Sequence, residues 1–163
     1  MISAGIRAAD LARFDQALES EFLRVELALS KKFQAVAKQA FTMLVTNSPQ
    51  WSGNFTTNWN YSVNTPDYSY TPSATKDEAS FDRTPFEKGS DPAVAQTLSK
   101  VFNLNGLSWR DTVFITNATP DDSGGYLGEN MESGKVNLRP VNLVNGKVAL
   151  IRYTVDFIKR GNL

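Results

Sequence analysis

Neither cysteine nor histidine occurs anywhere in the 163 residues. Their absence removes disulfides, thiolate zinc sites, imidazole-bound metals and every Ser-His or Cys-His nucleophile pair. Carboxylate, lysine and tyrosine chemistry stays formally open. The chain also lacks a G-x-x-x-x-G-K-[ST] or G-x-G-x-x-G phosphate loop. No run of about 18 apolar residues is present, so neither a transmembrane helix nor a membrane partner is expected. The opening MISAGIRAAD lacks the basic-then-apolar pattern of a secretory signal, which makes a cytosol the expected place of synthesis. Net charge is zero, and a simple DNA-coating role is disfavoured. These absences point away from an enzyme and away from any cofactor. They point towards a structural or assembly component.

The length suits one domain, residues 1–163, with a single core. Its charge is unevenly spread. Residues 1–50 carry six basic and five acidic side chains, residues 51–134 five and eleven, and residues 135–163 six and one. Solvated faces account for such polarity in most proteins. In an assembly, basic and acidic faces of neighbouring copies can meet instead.

From Leu11 to Ser48 neither Gly nor Pro interrupts the chain. Leu11, Phe14, Leu18, Phe22, Val25 and Leu29 recur at spacings of three and four, and Phe33, Val36, Ala37, Ala40, Phe41 and Leu44 continue the series. The pattern predicts one very long helix, or two with little break, capped by Asp10 and stopped by Asn47-Ser48-Pro49. At about 1.5 Å of rise per residue it reaches about 55 Å, more than a domain of this size needs. Part of the stripe is expected on the protein's own sheet and the excess on other subunits. The spacing is not a sustained heptad, and Phe recurs along the stripe, so a coiled coil is disfavoured.

Trp51-Ser52-Gly53-Asn54 reads as a turn. From Phe55 the alternation is strict, with Phe55, Thr57, Trp59, Tyr61 and Val63 on one face, which predicts a half-buried strand. Trp59 reads as core. Trp51, outside the alternation, is a candidate exposed anchor. Residues 64–91 are rich in Pro, Ser, Thr and Asp, with scattered aromatics at Tyr68, Tyr70, Phe81 and Phe86. An excursion of that length is either a mobile loop or an arm ordered by a partner; the aromatics favour the arm. Asp91-Pro92 opens a short helix with Val94, Leu98, Val101 and Phe102 on its apolar face, ending near Asn105-Gly106. Thr112 to Thr116 is a strand. Asn117 to Gly134 is a loop holding Asp121, Asp122, Glu129 and Glu132, whose spacing does not match an EF-hand calcium loop. Val144, Val148, Ile151, Val155 and Ile158 lie at helical spacing, while Asn145-Gly146 also offers a hairpin turn. The helix is favoured, with Lys159, Arg160 and Gly161 suiting its C-terminal end. The element order predicts an α+β fold: a long N-terminal helix and two shorter helices packed on a small, mainly antiparallel β-sheet.

Three stretches resemble, in order, motifs of the neck and tail-completion proteins of tailed bacteriophages. The first is Ser48-Pro49-Gln50-Trp51-Ser52-Gly53-Asn54-Phe55 leading to Trp59, similar to "S-P-x-[DY]-[TS]-G-x-x-[RK]-x-x-W". The second is Ile115-Thr116-Asn117-Ala118-Thr119-Pro120, then Tyr126-Leu127 and Met131-Glu132-Ser133-Gly134, similar to "N-x-x-P-Y-A-x-x-L-E-x-G". The third is Arg139-Pro140-Val141 followed by Gly146-Lys147-Val148, similar to "A-P-x-G-M-V". The sequence departs from the family at Trp51, in the extra residues Asp121 to Gly125, and at Arg139. The resemblance implies a virion protein assembled in the host cytoplasm. It implies a homo-oligomeric ring, a hexamer or dodecamer, between connector or adaptor proteins and tail-tube or terminator proteins. DNA would pass through the lumen without sequence-specific binding, and the acidic 121–132 loop is a candidate lining.

Two other readings compete. A soluble carbohydrate- or peptide-binding module would use Trp51, Tyr68 and Tyr70 as a stacking platform. A carboxylate-dependent enzyme would have only Asp121, Asp122, Glu129 and Glu132 to offer, on a glycine-rich loop that is a poor scaffold for paired acids.

Overall fold

The computed structural model describes residues 7–48, 54–72, 92–100, 106–120, 125–126, 128 and 150–160. Its elements are α1 (Ala8–Thr46), a single helical turn α2 (Asn54–Thr57), β1 (Trp59–Val63), α3 (Pro92–Ser99), β2 (Val113–Asn117) and α4 (Leu150–Lys159). β1 and β2 pair antiparallel in a two-stranded sheet. α3 and α4 both pack against α1. The fold is α+β, with a long N-terminal helix and shorter helices around a small antiparallel sheet.

The predicted long helix is one unbroken element of 39 residues. Its sequence is dominated by Ala, Leu, Glu, Gln, Lys and Phe, mostly strong helix formers. Its start differs from the expectation. Arg7 occupies the extended cap position without a side-chain cap bond, and its carbonyl accepts from Asp10 N–H and Leu11 N–H. Asp10 therefore lies in the first turn and is not the cap. There its carboxylate faces the positive end of the helix dipole. The stop falls where predicted, and the reason is local. Thr46, Asn47 and Ser48 turn their side chains back onto the carbonyls of Thr42, Met43 and Leu44, at 2.8, 2.8 and 2.7 Å. The capping backbone N–H groups reach the Met43 and Val45 carbonyls, so the Ser48 hydroxyl supplies the donor that the Leu44 carbonyl lacks.

The first strand is shorter than its alternation suggests. Residues 54–57 form α2, and β1 begins only at Trp59. The Asn58 amide donates to the Asn54 carbonyl at 2.7 Å and Thr57 Oγ1 donates to the same oxygen at 3.2 Å, which closes the turn. Phe55 and Trp59 still reach one core, because i and i+4 share a face in a helical turn as i and i+2 do in a strand. β2 begins at Val113, one residue later than predicted. Just before it, the Thr112 N–H and C=O are taken by Asn64, whose side chain accepts and whose backbone N–H donates. Asn64 adopts φ 62°, a left-handed conformation that Asn tolerates.

In the observed register Trp59 opposes Asn117, Tyr61 opposes Ile115 and Val63 opposes Val113. This face packs on the C-terminal half of α1. Phe41, Leu44, Val45, Phe55, Trp59 and Val94 form the buried core, with Tyr61, Leu98 and Ile115 against it. Phe41 meets Tyr61 edge-on at 6.4 Å, and Phe55 meets Trp59 edge-on at 5.6 Å. Trp59 is core, as its alternation predicted. Its indole N–H also donates to Ser48 Oγ at 2.7 Å.

Pro92 is the first residue of α3, as read from the sequence, but the helix ends at Ser99 and not near Asn105-Gly106. At this end the Lys100 N–H donates to the Thr97 carbonyl at 3.1 Å, and two side chains add contacts. Ser99 Oγ donates to the Gln96 carbonyl, and Lys100 Nζ reaches the Thr57 carbonyl, drawing the chain towards α2. The terminal segment is helical from Leu150, the favoured of its two readings, with Lys159 in its last turn. Asp91, Val101, Phe102, Val144, Asn145-Gly146, Val148 and Gly161 lie outside the described residues.

Candidate interaction surface

Among the described residues, helix α1 is packed against the rest of the fold only along its C-terminal half. Its buried side chains are Ala37, Phe41, Met43, Leu44 and Val45. Every side chain from Ala8 to Val25 is exposed. The stripe of Leu11, Phe14, Leu18, Phe22, Val25 and Leu29 runs along this overhang, with Phe14 63% and Phe22 62% exposed. Full burial of each such side chain is worth about 1.5–3 kcal/mol. A contiguous row of them in water is therefore a surface that gains by being covered.

A short turn, residues 106–111, contacts α1 at the inner end of the overhang. Gly106 takes φ +97°, a left-handed conformation suited to glycine. Asp111 N–H donates to the Ser108 carbonyl, and the Asp111 carboxylate accepts from Ser108 N–H at 2.8 Å and from the Asn64 amide at 3.0 Å. The turn grips α1 at three levels: Gln34 Nε2 donates to the Leu107 carbonyl, Trp109 N–H donates to Ser30 Oγ, and Arg110 pairs with Glu26. The Arg110 guanidinium also sits 5.2 Å from the Trp109 ring centroid. Trp109, 42% exposed, is a surface aromatic that the sequence reading overlooked. Its signal was the turn-forming context Ser108-Trp109-Arg110-Asp111, where Ser and Asp three apart hold a turn.

The Asn64 amide, then the Ser108 N–H, hold the Asp111 carboxyl below its ordinary value of 3.8. Since the folded pKa is depressed, the turn's contribution is complete above the ordinary carboxylate range and is lost as pH falls through the depressed value. A carboxyl-carbon NMR titration is expected to give Asp111 a midpoint below 3.8. A midpoint at or above that value would remove the carboxylate from the turn.

The start of the 64–91 excursion is ordered by the other face of the sheet. Asn60 and Thr116 are opposed in the ladder and share that face. Asn58 Nδ2 donates to the Thr71 carbonyl at 2.9 Å, while its Oδ1 accepts Thr71 N–H at 2.8 Å. Asn60 donates to the Ser69 carbonyl at 2.7 Å, and Thr116 Oγ1 to the Asp67 carbonyl. Side-chain amides thus take the place of a third strand's ladder. Asp67 accepts Ser69 N–H, which holds its carboxyl below the ordinary range. Replacing Asn58 by Ala is expected to release residues 67–72 and speed proteolytic cleavage there severalfold. Unchanged cleavage kinetics would show that the other bonds suffice.

This strap separates the two tyrosines that the sequence grouped. Tyr68 is 63% exposed. Tyr70 is half-buried, and its hydroxyl accepts from the Asn54 amide at 3.0 Å. The other candidates, Trp51, Phe81, Phe86, Asp121, Asp122, Glu129 and Glu132, lie outside the described residues. Among the described residues no group of three or more Asp, Glu, His or Cys gathers to hold a metal ion, and no helix is long and apolar enough to cross a membrane.

Residues of the first two motif stretches meet in space. Ser48 binds Trp59, and the Asn117 amide donates to the Phe55 carbonyl at 2.7 Å while its oxygen accepts from Thr119 Oγ1 at 2.6 Å. Pro120 and Tyr126 form an isolated antiparallel bridge. These two residues flank the extra segment Asp121 to Gly125. No known protein family, curated protein or solved structure matches the chain.

Proposed function

We propose that this chain is a structural subunit of the head–tail junction of a tailed phage, acting as a neck or tail-completion ring. The overhang of α1 carries the reading: an apolar stripe exposed beyond the described core is suited to contact with other subunits. The junction itself is supported by the three ordered motifs, two of which meet around Trp59 and Asn117. In such a ring the copies surround a lumen through which DNA passes, with connector or adaptor proteins on one side and tail-tube or terminator proteins on the other. Mass spectrometry of purified particles is expected to find the chain, and its deletion is expected to leave full heads unjoined to tails. Particles lacking the chain, or normal joining in the deletion, would remove this function. A ring reconstruction with the 121–132 loop on the outer rim would remove that loop as lumen lining.

The exposed Tyr68 on its pinned strap favours a second reading, a carbohydrate- or peptide-binding module. That reading expects a stable monomer by light scattering and loss of ligand binding in Tyr68→Ala.

A further inference from the structure

We infer that the α1 overhang docks on helix α4 of a second copy of this chain. The inference rests on the assembly reading above and names the surface that receives the stripe.

The overhang cannot be covered from within its own chain by α4. All side chains of Ala8 to Val25 are exposed although α4 packs on α1. A helix unbroken from Ala8 to Thr46 does not fold back on itself. Among the described residues, α4 offers the matching surface. Ile151 and Val155, one turn apart, are 49% and 40% exposed, and Arg152 and Lys159 lie beside them on the same side of the helix. On the overhang, Asp15, Leu18, Glu19 and Phe22 share one side by the same three- and four-residue spacing. Leucine and phenylalanine flanked by two carboxylates thus face isoleucine and valine flanked by two cations.

The charge of the whole elements agrees. From Ala8 to Val25 there are four acidic residues (Asp10, Asp15, Glu19, Glu21) against two basic ones (Arg13, Arg24), a net of −2. From Leu150 to Arg160 there are three basic residues (Arg152, Lys159, Arg160) against one acidic (Asp156), a net of +2. A symmetric pairing of α1 with α1 would instead bring acidic overhangs together. Opposite charge flanking an apolar seam steers association and fixes its register. The contact joins two different patches, so each copy gives one and receives one. Such a head-to-tail contact closes into a ring when its rotation closes.

The absence of native cysteine makes the contact directly testable. A chain carrying Leu18→Cys, mixed with one carrying Val155→Cys and oxidised, is expected to give the mixed disulfide dimer. Both substitutions in one chain are expected to give a ladder of covalent oligomers ending at the ring size. Adding Asp15→Lys and Glu19→Lys to the first chain is expected to lower the mixed yield at least about fivefold. Arg152→Glu with Lys159→Glu on the second chain is expected to restore it. A dominant Leu18→Cys homodimer would assign the stripe to an α1–α1 pair and overturn the proposal. So would a mixed yield no greater than that of Arg24→Cys with Val155→Cys, or no response to the charge reversals. The same crosslinks are run on particles. Chain present in particles without the mixed disulfide overturns this contact and leaves the junction function standing. The mixed disulfide in free protein, with the chain absent from particles, supports the contact and removes the junction.

Discussion

Replacing Phe14 and Phe22 together by Asp is expected to abolish assembly while leaving the fold intact. Both rings are more than three-fifths exposed on the α1 overhang and contribute nothing to the described core. Exposed substitutions of this kind shift stability by about 0.5 kcal/mol each, and the slightly poorer helix propensity of Asp adds only a few tenths. At an interface the same rings are each worth about 1.5–3 kcal/mol. Losing both weakens association by roughly two to four orders of magnitude. The check pairs thermal unfolding of the free chain with its incorporation into particles. Undiminished incorporation would show that the stripe is not an interface. A melting point lowered by more than about 5 °C would show that the chain itself covers it.

Replacing Trp59 by Ala is expected to destabilise the fold by about 3–5 kcal/mol, the usual consequence of emptying an aromatic core site. For a chain of this length that corresponds to about 6–20 °C in melting temperature. Trp59 packs against Phe55 and its indole binds Ser48, which in turn binds the Leu44 carbonyl. One side chain thus ties β1, α2 and the end of α1 together. Ser48→Ala should cost less, about 1–3 kcal/mol, because it leaves the buried indole N–H without an acceptor. A Trp59→Ala chain melting within about 2 °C of the wild type would mean that the core closes over the gap. Equal effects of the two substitutions would place the whole contribution in the hydrogen bond.

The two substitutions probe opposite ends of one helix. The core end of α1 and the overhang carry equally apolar stripes with the same spacing. What separates them is the turn at residues 106–111, whose contacts to Gln34, Ser30 and Glu26 lie where the body ends. Trp59→Ala should therefore reduce assembly only through unfolding, and the Phe14 and Phe22 substitutions only through the interface.

By itself, the sequence determined the long helix, its C-terminal stop, the core placement of Trp59, the start of α3 and the α+β class. These follow from short-range physics: uninterrupted helix formers, polar side chains that turn back on the last carbonyls, side-chain periodicity, and proline at a first helical position. The tertiary structure alone decided the rest. It turned residues 54–57 into a helical turn, since Phe55 satisfies the core from either geometry and only the Asn58 and Thr57 side chains choose between them. It split Tyr68 from Tyr70 through a strap held by the Asn58 and Asn60 amides, in a stretch that the sequence showed merely as alternating. It brought Trp109 to the surface beside α1, a contact between residues about 80 positions apart that no local pattern reports. Above all, it divided a uniform apolar stripe into a buried half and an exposed half. Periodicity states that a face is apolar; only the positions of the other elements state where that face still lacks a partner.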